Sequence, residues 1–140
     1  MPQAGISEVA PFFIVADLLS ALAFYRDRLG FKVVFEGPAE DPFFGIVRRD
    51  GAMILMKSLG VGSVDVAPVP NYGREPAHSW DAYFEVPDPD ALAAEFASHG
   101  VAFAEPLSAR QDRAAGDDGL RGFVVRDPDG HGLYFGHFEG

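Results

Sequence analysis

A chain of 140 residues suffices for one compact domain or two small halves sharing a core, and 48% hydrophobic with 13% aromatic residues is a composition that folds. A formal net charge of −10 argues against a nucleic-acid or anionic-membrane surface, and zero cysteines exclude disulfides, thiolate chemistry and cysteine-based zinc sites. No apolar run approaches the roughly 20 residues that span a bilayer, and MPQAGISEVAPFF lacks the basic and apolar regions of a signal peptide, so a soluble cytoplasmic protein is expected.

In chain order, residues 8–15 read as a strand that runs to Asp17, a helix N-cap whose carboxylate suits the free amides of a first turn. Leu18, Leu22, Tyr25 and Leu29 recur at helical spacing, and Gly30 stands where a helix closes in a left-handed residue. Strand-like stretches follow at 31–37, 42–50 and 52–58, the last two joined by an Asp-Gly hairpin signal. Residues 59–78 are rich in Gly and Pro and read as a join. The pattern then repeats. A strand over 80–86 leads to Asp88, a helix with Leu92 and Phe96 on its apolar stripe ends at Gly100, and strands are expected at 101–106, 119–127 and 132–138. The segment 108–119 is a second long loop. The division expected is a first module over 1–58, a linker over 59–78 and a second module over 79–140.

Three stretches carry a resemblance that covers nearly the whole chain: Asp17 followed by FYRDRLGF at 24–31, VPDPDALAAEFASHG at 86–100, and RDPDGHGLYF at 126–135. In this order and spacing they resemble the vicinal oxygen chelate superfamily of glyoxalases, bleomycin-resistance proteins and dioxygenases, nearest in character to its metal-free, bleomycin-resistance-like members. The resemblance implies an α+β fold in which two βαβββ modules form paired curved mixed sheets around a concave pocket. It also implies where a divalent metal is held in members that have one, and here those places are Ala10, Asp81, the stretch MILM at 53–56, and Tyr134. Only Asp81 is a good donor, whereas a catalytic divalent site needs about three protein ligands. No metal site and no cofactor are therefore expected.

The DPDGHG stretch at 127–132 gathers two acids and a histidine but reads as a turn. Pro128 pre-sets it, Asp127 and Asp129 bond nearby amides, and Gly130 supplies a permissive angle. A makeshift site from His78, His131 and His137 lacks any short ligand spacing.

Alternation assigns faces. Trp80, Ala82, Phe84 and Val86 form an apolar row expected to meet the helices, leaving Asp81, Tyr83 and Glu85 on the concave side. In the first strand Val9, Phe13 and Val15 are expected to face the helix and Ala10, Phe12 and Ile14 the concave side, with something covering that side because it too is apolar. The expected ligand-binding set is Phe12, Ile14, Phe44, Leu55, Asp81, Tyr83, Glu85 and Tyr134, adjoined by Phe43 and Met53. No catalytic residue is assigned.

Three functions fit. The favoured one is a metal-independent protein that sequesters a small aromatic or cationic compound in grooves formed across a homodimer, the acids and rings supplying ion pairing and cation–π contact. The alternatives are a metal-dependent lyase, isomerase or dioxygenase with displaced ligands, and a regulatory domain whose concave face takes a peptide. Neither nucleic acid nor membrane is an expected partner.

Overall fold

A computed structural model of the chain describes residues 2–59, 68–75, 79–109 and 119–138. The element order is β1 (Phe12–Val15), α1 (Leu18–Ala23), β2 (Lys32–Gly37), β3 (Phe44–Arg49), β4 (Ala52–Ser58), α2 (Asn71–Arg74), β5 (Ala82–Glu85), α3 (Pro89–Ser98), β6 (Phe103–Ala109), β7 (Leu120–Arg126) and β8 (Gly132–Phe138). The strands form two four-stranded mixed sheets, ordered β1-β4-β3-β2 and β5-β8-β7-β6. In each, the strand before the long helix pairs in parallel with the last strand of its half, Phe12 beside Leu55 and Tyr83 beside Tyr134. This is the expected βαβββ order, repeated. Among the described residues no helix is long and apolar enough to cross a membrane.

Local chemistry explains the element ends. Gly30 and Gly100 take φ 73 and 77, angles that a Cβ would resist, and they end the two long helices. Asp88 caps α3 by accepting from the Ala91 amide at 3.0 Å. Asp17 is the N-cap of α1, but its carboxylate takes the Ser20 hydroxyl at 2.6 Å instead of an amide. Past Ala23 the first helix widens into a π-helical turn, Phe24–Arg28, which contains Tyr25.

Both halves contribute to one core. Phe13, Val15, Val47, Ile54 and Met56 from the first sheet join Phe123, Val125, Leu133 and Phe135 from the second, with Leu18, Leu22, Tyr25 and Phe96 of the helical segments among them. Arg49 on β3 extends the contact by gripping Glu95 on α3 through two hydrogen bonds of 2.8 and 3.0 Å and donating to the Leu29 carbonyl. Each sheet therefore turns its helix-covered face toward the other. The opposite faces point outward, away from each other.

Two expectations about facing are corrected. Val9 does not meet the helix: the strand begins only at Phe12, and Val9 lies before it at 91% exposure. Trp80 does not join Ala82, Phe84 and Val86 in the core. It precedes β5, escapes the strand's alternation, and packs on Tyr134 with ring centroids 4.4 Å apart, on the outer face.

Candidate functional site

The 127–132 stretch is a hydrogen-bonded hub. Asp127 Oδ1 accepts from the amides of Asp129 and His131, both at 2.9 Å, while Oδ2 takes the Tyr25 hydroxyl at 2.8 Å and sits 2.8 Å from His131 Nδ1. Gly130 takes φ 90. The His131 ring stacks on Phe13 at 4.2 Å, and Asp129 accepts from the Ala16 amide at 2.9 Å, so the turn fastens the second half to the first. Asp127, Asp129 and His131 lie close enough to surround a cation. Each already serves a protein partner, and the arrangement is that of the turn read from the sequence. Burial opposes a charge on His131, but the Asp127 hydrogen bond, its field and those of Asp81 and Asp129 outweigh this and raise the imidazole pKa. Of the two histidines that would complete a makeshift site with His131, His137 pairs with Glu85 and His78 lies outside the described residues.

The outer face of the first sheet gathers Phe12, Ile14, Phe44 and Leu55, as strand register requires: Phe12 lies beside Leu55, and Phe44 and Ile14 each beside Lys57. Phe12 and Phe44 stand 6.1 Å apart, and Phe35 closes on Phe44 at 5.9 Å. Phe12 is 52% exposed, so none of the described residues covers its ring. Simple alternation misses Phe35. A bulge between Val33 and Phe35 moves it to the outer side.

Tyr83, Glu85 and Tyr134 belong to the outer side of the second sheet. Tyr83 stacks on Tyr134 at 5.7 Å and donates to Glu85 at 2.7 Å, and Glu85 also meets His137 Nδ1 at 2.7 Å. The Tyr83 hydrogen bond, joined by His137, holds the Glu85 carboxyl below its usual range, while burial and then Glu85 push the Tyr83 phenol up. Tyr134 is only 2% exposed because Trp80, Tyr83 and the helix α2 lie over this face, with Tyr72 in the same cluster. Helix α2 went unseen in the Gly/Pro-rich join. Asp81 holds it in place, accepting from the amides of Asn71 at 2.7 Å, Tyr72 at 3.3 Å and Gly132 at 2.8 Å. The eight expected residues thus form two groups on opposite sides of the shared core, and the described residues do not enclose them in one pocket. An open groove of about 540 Å³ elsewhere, lined by residues including Lys32, Arg48, Arg49 and Glu95, contains none of them.

A protein-family model described as the Glyoxalase/Bleomycin resistance protein/Dioxygenase superfamily matches residues 5–135. The chain belongs to that superfamily. Solved structures share its fold. TioX from Micromonospora sp. ML1 is 19% identical over 94% of this chain and 98% of its own, with a TM-score of 0.68. The bleomycin-binding protein from bleomycin-producing Streptomyces verticillus, complexed with copper(II)-bleomycin, is 26% identical over 98% of this chain and all of its own (100%), with a TM-score of 0.66. A superfamily member from Alicyclobacillus acidocaldarius is 19% identical over 96% and 92%, with a TM-score of 0.69. No curated protein matches the sequence. Membership supports small-molecule binding or the superfamily's enzymatic chemistry.

The places where metal-binding members hold an ion fit one poorly here. Ala10 has no donor, Asp81 already accepts from three backbone amides, and Tyr134 is buried beneath aromatic rings. Across 53–56, Met53 Sδ accepts from Arg48 at 3.2 Å, Ile54 and Met56 enter the core, and Leu55 is hydrocarbon. Asp81 is thus the single carboxylate at these places, and its two oxygens already take three amides.

Proposed function

We propose that the chain is a metal-independent binding protein that holds a small aromatic compound in grooves completed by a second copy of itself. The observation that carries this reading is the open aromatic face of the first sheet, set against a metal position whose one carboxylate is committed to backbone amides. Flat rings in an apolar setting retain a planar ligand without chemistry. The superfamily neighbour complexed with copper(II)-bleomycin supports binding as a use of this fold.

Because the two outer faces point apart in one chain, a homodimer that lays the first sheet of each copy against the second sheet of the other would give two equal grooves and cover Phe12. A cytoplasmic location suits a cysteine-free chain. The test is a thermal-shift screen with Zn²⁺, Ni²⁺, Mn²⁺ and Fe²⁺ in one arm and aromatic compounds, bleomycin included, in the other. Stabilisation by an aromatic compound and by no metal is expected. Stabilisation by a metal alone would favour the superfamily's metal-dependent lyases, isomerases and dioxygenases instead.

A further inference from the structure

From the sequence, Asp81 and Glu85 are the acids that make a cationic ligand an option beside an aromatic one. In the structure Asp81 is bound by three amides and Glu85 by Tyr83 and His137, and Glu8, near the first sheet, is held by both terminal nitrogens of Arg48. The charge left unneutralised beside the aromatic cluster has the other sign. Lys57 lies on the outer face of β4, in register with Ile14 on one side and Phe44 on the other. It is exposed, makes no ion pair among the described residues, and rests its ammonium over the Phe43 ring at 5.8 Å. A cation parked on an aromatic face is weakly held and exchanges that contact for an anion at little cost.

We propose that Lys57 selects the ligand, a planar aromatic compound bearing one carboxylate or sulfonate, with its rings on Phe12, Phe35 and Phe44 and its anionic group on the Lys57 ammonium. This deepens the binding reading above and rests on it. In a chain of net charge −10, a cation with no ion pair among the described residues, beside an apolar platform, is a local attractor for such an anion. Lys32 lies on the same face at the far end of the sheet, opposite Arg48 on β3, and serves as an internal control.

The experiment titrates the full-length protein with three dyes by fluorescence. These are 8-anilinonaphthalene-1-sulfonate, its uncharged counterpart N-phenyl-1-naphthylamine, and the aromatic cation proflavine. Wild type should bind the sulfonate more tightly than the neutral dye. Lys57→Met, which keeps the stem over Phe43, should weaken the sulfonate about tenfold and leave the neutral dye unchanged, the loss expected for one charge-assisted contact. Lys32→Met should change neither. Equal sulfonate affinity in wild type and Lys57→Met, an equal loss in Lys32→Met, or preference for proflavine would overturn the assignment to Lys57 while leaving aromatic binding standing. Failure of all three dyes to bind a dimeric wild type would assign the face to the second copy alone and overturn both.

Discussion

Asp127 accepts four hydrogen-bond contacts from a fully buried side chain, and its partners span the π-helical turn and the 127–132 turn. Removing it leaves Tyr25 and His131 buried without an acceptor, so Asp127→Ala should cost about 3 kcal/mol or more in urea unfolding. A loss under about 1 kcal/mol would show that the hub is dispensable. His131 gives a second check. Its pKa is raised in the fold, so the folded state binds its proton more tightly than the unfolded chain, whose value is about 6.5. That stabilisation is complete below the unfolded value and fades as pH rises through the folded one. The urea midpoint should therefore fall as pH rises from about 6 through the raised folded value, and His131→Asn should flatten the decline. The turn was readable from DPDGHG alone because its geometry is local. Its partners Tyr25 and Phe13 were not, since they lie more than a hundred residues away.

The strands and helices follow from short-range patterning, and β3, β4, β7 and β8 fall within a residue or two of their expected bounds. Patterning failed where something non-local intervenes. The bulge at Val33 and Phe35 changes a face without any Gly or Pro to mark it. Helix α2 is four residues long and depends on a carboxylate ten positions downstream of its first residue, so no periodicity announces it. Asp81, read as a pocket acid, is the residue that seats it. Asp81→Ala should release α2, expose Trp80 and shift the emission of this single tryptophan to the red, with a stability cost of about 1–3 kcal/mol. Unchanged emission would mean that α2 holds its place without the carboxylate.

At the level of the molecule, periodicity tells which side of a strand is apolar but not what lies opposite. The apolar outer side of β1 calls for a cover from the other half of the fold or from a partner chain, and in the structure the two halves meet through their helix-covered faces while Phe12 is 52% exposed. The Arg49–Glu95 pair belongs to that junction, and with both side chains partly exposed a double-mutant cycle should give a coupling of only about 0.5–1 kcal/mol. The uncovered face makes a stronger statement. Sedimentation should find a dimer, and Phe12→Glu should shift it toward monomer. A wild type that stays monomeric at high concentration would leave the groove without its second wall.

Holding a ligand without a metal is tested most directly by metal content. The purified protein is incubated with excess Zn²⁺, Ni²⁺, Mn²⁺ or Fe²⁺, passed through gel filtration and assayed by inductively coupled plasma mass spectrometry. The expected result is far less than one ion per chain for every metal. An ion retained at one per chain would contradict it.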